Sequence, residues 1–176
     1  ILSVGDVTTT KIDIIDNFGE KKEINKFNKY EKHNPNEYFF SVIDHIGLIS
    51  TENGMSIKQS IDRMSAYLVK LRNKYSCIFS PIIIQQQFSE AESNESFKLN
   101  RMRPSERGLA DSKYTGRDCD VMFGLFSPYR HEIKDYLHYD ITRFKNNIRF
   151  LEVVINRSGE SNSICPLYFD GAVNYF

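Results

Sequence analysis

One apolar run does most to limit what this chain can become. Tyr38-Phe39-Phe40-Ser41-Val42-Ile43 is aromatic and β-branched, has the length of a strand and ends abruptly in Asp44. Such a continuous run reads as a strand covered on both faces, the habit of parallel sheets. Ile57, Ile61, Met64, Leu68 and Leu71 follow at steps of four and three, which places them on one face of a helix. A second apolar run spans Cys77 to Ile84, where Pro81 suggests a bulge or break. Two such strands with an amphipathic helix between them predict an α/β sheet with helices on both faces.

Further strands are expected over Cys119–Phe126, Arg149–Ile155 and Ile164–Phe169, the last two as a hairpin or as neighbours across Asn156-Arg157-Ser158-Gly159. Phe123 and Phe126 read as core aromatics. Residues 1–37 carry a weaker pattern and read as a weak strand, a polar connection and one helix, the N-terminal part of the same domain whose core is 38–176. A chain of 176 residues suits one domain with a core of its own.

In sheets of this class ligands gather at the carboxyl ends of the strands. Asp44, Gln86 and Arg157 each follow an apolar strand. A carboxylate at a strand tip can order the hydration shell of Mg²⁺ beside a nucleotide phosphate, although such an Asp is more often a cap or loop anchor. An uncharged amide among Gln85, Gln86 and Gln87 can sense a phosphate or an attacking water, and a polar strand end explains the same letters. A turn Arg is usually solvated, yet Arg157 beside Gly159 can project toward a phosphate on a neighbouring subunit.

Charge adds one local feature. Lys plus Arg and Asp plus Glu number 23 each, so no global field favours nucleic acid or anionic lipid. The stretch 98–117, however, concentrates Lys98, Arg101, Arg103, Arg107, Lys113 and Arg117 against Glu106 and Asp111 alone. Such a patch can track a phosphate backbone by counterion release, or it is an ordinary solvated loop. Residues 88–107 form a long polar stretch with little apolar periodicity, of the kind that is either functional or disordered.

Several chemistries are poorly supported. The three cysteines, Cys77, Cys119 and Cys165, form no CxxC pair and no even disulfide framework, which points to a reducing, cytoplasmic setting. His131-Glu132 and His138 lack the spacing of a zinc helix, and no GxSxG, GxGxxG or GxxxxGK[ST] occurs. No apolar run approaches the roughly 20 residues of a membrane span. The start at Ile1, without Met or leader, reads as an internal piece of a longer chain.

Taken in order, the motifs resemble the C-terminal RecA-like motor domain of DnaB-type replicative helicases. Val42-Ile43-Asp44-His45-Ile46-Gly47-Leu48-Ile49 is similar to that family's Walker B strand, with Gly47 where the family usually has Gln. Ile83-Ile84-Gln85-Gln86-Gln87 is similar to the strand ending in Ser-Gln, with Gln86, or Gln87 one register on, as phosphate sensor. Arg103-Pro104-Ser105, Leu109-Ala110-Asp111-Ser112 and Asp118-Cys119-Asp120-Val121-Met122 follow the family's Arg-Pro, Leu-Arg-Glu-Ser-Gly and Asp-Ala-Asp-Val-Val series at the expected separation. Arg157-Ser158-Gly159 resembles its Lys-x-Arg-x-Gly element. Ile155, Ala110 and Lys113 depart from it.

The resemblance implies a RecA-like, mostly parallel sheet flanked by helices, with a C-terminal antiparallel hairpin. It implies an ATP-dependent DNA helicase that hydrolyses ATP at subunit interfaces of a hexameric ring and moves on single-stranded DNA. Asp44 would order Mg²⁺, Gln86 would read the γ-phosphate and Arg157 would act as a trans arginine finger. Lys98, Arg101, Arg103 and Arg107 would grip DNA, with Phe97 stacking on a base. ATP and Mg²⁺ would belong to the complete protein and would not bind tightly to this chain, whose P-loop would lie before Ile1 and which alone would be inactive. The departures favour an alternative, a degenerate non-hydrolysing module for DNA binding or oligomerisation. A third reading is a Mg²⁺-dependent nuclease using Asp44 with Asp118 or Asp120.

Overall fold

The structure is a computed structural model that describes residues 5–75, 79–87, 102–173 and 175. The chain opens with a long antiparallel hairpin of β1 (Gly5–Ile15) and β2 (Lys21–Lys32), paired from Gly5↔Lys32 to Ile15↔Lys21 with a shift between Thr8 and Thr9. The tip is closed by the Asp16 carboxylate, which accepts from the amides of Phe18 and Glu20 at 2.9 and 3.0 Å, while Gly19 takes the left-handed φ of 83°. The helix expected within 1–37 is therefore a strand. Tyr30 is buried edge-on against Tyr75 at 5.2 Å, and Ile24 faces Ile12 across the ladder. These cross-strand and tertiary contacts override a Lys/Asn-rich composition that carries little β-preference of its own.

β3 (Phe39–Ile43), α1 (Ile57–Lys74) and β4 (Phe79–Ile83) follow. Ser56 starts α1 with a reciprocal cap: its hydroxyl accepts from the Gln59 amide at 3.2 Å, and its own amide donates to Gln59 Oε1 at 2.8 Å. Ile61 and Leu68 are buried on the helix face that packs against β4 and the short 3₁₀ turn Ile46–Leu48. β3 and β4 pair in parallel, and the register runs unbroken through Ser41↔Pro81. No bulge forms at Pro81. Ile84 turns both its N–H and its C=O toward β3, to Ile43 O and from Ile46 N, each at 3.0 Å. By alternation Pro81 faces the other edge, where no strand among the described residues requires its missing donor.

α2 (Tyr114–Asp118) leads into β5 (Val121–Phe126). A small hairpin of β6 (Asp135–Tyr136) and β7 (Tyr139–Asp140), then α3 (Ile141–Phe144), precede β8 (Ile148–Asn156) and β9 (Ile164–Tyr168). β8 lies between β5 and β9 and is antiparallel to both. The expectation of a mostly parallel sheet is thus corrected: β3–β4 is the one parallel pairing among the described strands. A parallel return usually runs through a crossover helix, and the segment between β5 and β8 holds only short turns of helix and a small hairpin. The core gathers here, where Met102, Phe126, Tyr136, Ile141, Ile148 and Phe150 pack together.

The strand run read as covered on both faces is open on one. Phe40 and Val42 of β3 are 68% and 60% exposed, and Ile82 and Ile84 of the β4 segment share that open face. Phe123, read as a core aromatic, is 62% exposed on β5, whereas Phe126 is buried. No helix among the described residues is long and apolar enough to cross a membrane.

Candidate functional site

The parallel pair delivers two of the sequence-predicted residues to one place. Ile43 pairs with Ile83, so the chain leaves both strands at the same carboxyl edge. Phe40 and Val42 of β3 and Ile82 of β4 are exposed on one face, Ile84 and Gln86 continue the exposed alternation beyond β4, and Asp44 is exposed in the turn after β3. Asp44 and Gln86 therefore lie just past the same carboxyl edge. Neither side chain makes a hydrogen bond or ion pair among the described residues, so a carboxylate and an amide stand ready at one strand edge.

The three glutamines separate by the same alternation. Gln85 turns inward: its Nε2 donates to Ala110 O and, at 3.0 Å, to Ser112 O, while its Oε1 accepts from Thr115 Oγ1 at 2.5 Å. Gln87 donates to Arg103 O at 3.3 Å and bridges to Leu109. Gln86 contributes its backbone carbonyl to Ala110 N–H at 3.0 Å and leaves its amide side chain outside. Composition alone leaves all three open as sensors, and the period of two along a strand is the signal that separates them.

Asp111, named in the Leu109-Ala110-Asp111-Ser112 motif without a role, is a neighbour of this edge. It adopts the left-handed region at φ 61°, and its carboxylate lies close over Gly47: a Cβ on Gly47 would sit 3.0 Å from Asp111 Oδ2 and 3.1 Å from His45 Nδ1. The small residue at position 47 is what leaves room for that carboxylate in the loop after β3.

Arg157 does not project. Its Nε donates to Cys119 O at 2.8 Å and its Nη2 to Arg117 O at 2.5 Å, while its amide donates to Asp120 O at 3.0 Å. The guanidinium thus ties β8's end to the last turn of α2 and the residue after it, where backbone carbonyls favour positive charge. Burial pushes the neighbouring Cys119 thiol up, with the Arg157 charge acting against it.

The basic patch divides. Lys98 and Arg101, like Phe97, lie outside the described residues. Arg103 turns into the fold, where its Nε and Nη2 donate to Glu152 Oε2 at 3.2 and 3.0 Å, and Tyr136 donates to Glu152 Oε1 at 2.6 Å. Arg107 is exposed. The two carboxylates of the nuclease reading are also occupied: Asp118 accepts from Ser65 at 2.7 Å and Asp120 pairs with Arg72, both on α1. No cluster of His, Cys, Asp and Glu suited to a metal occurs among the described residues.

No protein-family model and no curated protein matches the sequence. Solved structures do match in shape. One, described as an ATPase domain, superposes with a TM-score of 0.57 at 19% identity, over 77% of this chain and 43% of that one. Another, described as a DnaB-like replicative helicase and its interactions with primase, gives a TM-score of 0.59 at 19% identity, over 78% of this chain and 29% of that one. The fold is similar to part of these DnaB-like helicase ATPase structures. The chain spans less than half the length of either solved chain. Within this DnaB-like fold, the Asp44 and Gln86 edge is the carboxyl end of the parallel pair, the position where α/β folds receive ligands.

Proposed function

We propose that this chain is part of an ATP-dependent DnaB-like replicative helicase, whose ring, a hexamer, hydrolyses ATP between subunits and moves on single-stranded DNA. The observation that carries the reading is the carboxyl edge shared by Asp44 and Gln86, whose side chains have no hydrogen-bond partner among the described residues, in a fold matched by DnaB-like ATPase domains. The two side chains fit a magnesium-bound polyphosphate lying across that edge: Asp44 is a hard oxygen donor able to hold a metal-bound water, and the Gln86 amide can donate to a terminal phosphate oxygen. ATP with Mg²⁺ supplies the phosphoanhydride that is cleaved.

Arg157 would serve a neighbouring subunit's site as an arginine finger. To do so its guanidinium must exchange two backbone carbonyls for phosphate oxygens, a trade that favours the more strongly charged acceptor. Arg107, with Lys98 and Arg101, would contact the DNA backbone. Arg103 would contribute through its exposed edge while remaining bound to Glu152.

The test is DNA-stimulated ATP turnover by the full-length polypeptide that contains this chain. Arg157→Ala is expected to lower kcat by about 10³-fold or more, the range of arginine fingers. Asp44→Asn and Gln86→Ala should each abolish stimulation. Turnover unaffected by Arg157→Ala removes the finger assignment, and full-length protein without turnover overturns hydrolysis.

The second reading, a non-hydrolysing module for DNA binding or oligomerisation, is favoured by the engagement of Arg157 with its own backbone and by Ile155, Ala110 and Lys113. It predicts single-strand affinity that falls steeply with salt and no ATP turnover in any context.

A further inference from the structure

We infer that Gln85 is a positioning residue: its side-chain amide latches the turn 110–115 to the tip of β4, so that a displacement of Gln86 is carried into the basic segment 103–107. This rests on the proposed reading of the Gln86 edge.

The latch uses both donors of the amide and its oxygen as acceptor. The nitrogen of Gln85 donates to the carbonyls on either side of Asp111, Ala110 O and Ser112 O, and the oxygen accepts from Thr115. Glutamate could not donate to either carbonyl, and leucine of similar size could do neither. The groups it satisfies are enclosed, since Ser112 and Thr115 are both buried. Breaking the latch would cost three hydrogen bonds in this enclosed turn, leaving Ala110 O with the Ser112 amide and Ser112 O with the Thr115 hydroxyl, so the turn is tied to the strand tip chiefly through Gln85.

Adjacent bonds make the connection stiff. Ala110 N–H donates to Gln86 O at 3.0 Å, which ties the turn to the backbone of the proposed sensor. Gln87 holds Arg103 O at 3.3 Å, so the basic segment is fastened to the same three residues from its other side. The Ser112 hydroxyl donates onward to Asp62 of α1, and Asp111 reaches back over Gly47 in the loop after β3. Asp111 holds its left-handed φ of 61° between the two carbonyls that Gln85 grips. A movement of the β4 tip thus has a contiguous polar path to Arg103 and Arg107, while the Gln86 side chain stays free to meet a phosphate.

The experiment uses the full-length polypeptide, a labelled oligothymidylate, and a non-hydrolysable ATP analogue with Mg²⁺. In the native protein the analogue should change single-strand affinity, and hydrogen exchange at the amides of Ala110 and Ser112 should change with it. Gln85→Leu should bind the analogue within about twofold of native, while the ratio of DNA affinities with and without analogue falls toward about 1, the loss of most of a coupling free energy. Thr115→Val, which removes one of the three bonds, should reduce that ratio partially.

Folded Gln85→Leu with an undiminished ratio overturns the latch and leaves the Gln86 reading standing. Native protein whose DNA affinity ignores the analogue overturns both. If Gln85→Leu fails to fold, Thr115→Val decides, and a native ratio there overturns the proposal.

Discussion

Arg103 and Glu152 are joined 49 residues apart in sequence, with two guanidinium nitrogens on one carboxylate oxygen at 3.2 and 3.0 Å. The Glu152 side chain is 4% exposed and that of Arg103 42%, so the pair straddles the boundary of the core. A residue read from sequence as a DNA contact is thereby a structural partner first. Removing it leaves a buried carboxylate with Tyr136 as its remaining donor. Arg103→Ala is expected to cost about 2–3 kcal/mol, less than the roughly 3–5 of a fully enclosed pair because the guanidinium reaches water. Urea melts check this, and a change below about 0.5 kcal/mol, the scale of a surface substitution, would contradict the pairing.

The same carboxylate makes stability depend on alkaline pH. Burial first, and the hydrogen bond to Glu152 second, push the Tyr136 phenol well above its ordinary range. The native state then keeps a proton that the unfolded chain loses near pH ~10, so this contribution is full below about pH 10 and declines as pH rises beyond it. Tyr136→Phe should flatten the decline while lowering stability at neutral pH by about 1–2 kcal/mol, since Glu152 Oε1 loses its donor. Melts of both proteins on either side of that pH decide, and parallel declines would show that Tyr136 is not the titrating group.

Ser56 offers a cleaner test of local structure. Its hydroxyl and amide exchange hydrogen bonds with Gln59 at the first turn of α1. Ser56→Ala should cost about 1 kcal/mol, the usual worth of such a cap, and Gln59→Ala less, because only the reciprocal bond is lost. Thermal melts measure both, and the reverse order of effects would argue against the cap.

Gly47 stands where the resembling family usually carries Gln, and here the space is shared by Asp111 and His45. Gly47→Gln should displace the ends of both side chains. Because these are flexible termini rather than backbone, the cost should stay near or below about 1 kcal/mol. The discriminating readout is hydrogen exchange at Ser112, which should rise as the Asp111 turn shifts. Unchanged exchange would place Asp111 elsewhere.

Much of this architecture was legible because apolar runs and the helical period survive tertiary folding. β3, α1, β4, β5, β8 and β9 all fall where those patterns place them, within a few residues. The first hairpin was not legible, since β2 alternates weakly and depends on Tyr75 and on its partner strand. Strand direction was misread because continuous runs imply burial on both faces, and here Phe40, Val42 and Phe123 lie open. At the site, Asp44 and Gln86 could be placed at strand ends from sequence. The partners of Arg103 and Arg157 could not, because they are set by pairings across 49 and 38 residues or more.

Two phenylalanines separate the closed part of the molecule from the open part. Phe150 on β8 is fully buried, with the rings of Tyr136 and Tyr139 at 4.8 and 5.4 Å. Phe150→Ala should therefore cost about 3–5 kcal/mol, combining lost transfer energy with an unfilled cavity. Phe40 on β3 is a ring of the same size but largely exposed, on the open face of the parallel pair whose carboxyl edge leads to Asp44 and Gln86. Phe40→Ser removes little buried area, so chemical denaturation of this chain should register a change within about 0.5 kcal/mol. A loss above about 1 kcal/mol at Phe40 would mean that another surface already covers this face in solution, and would remove the basis for treating the Asp44 and Gln86 edge as open to a ligand.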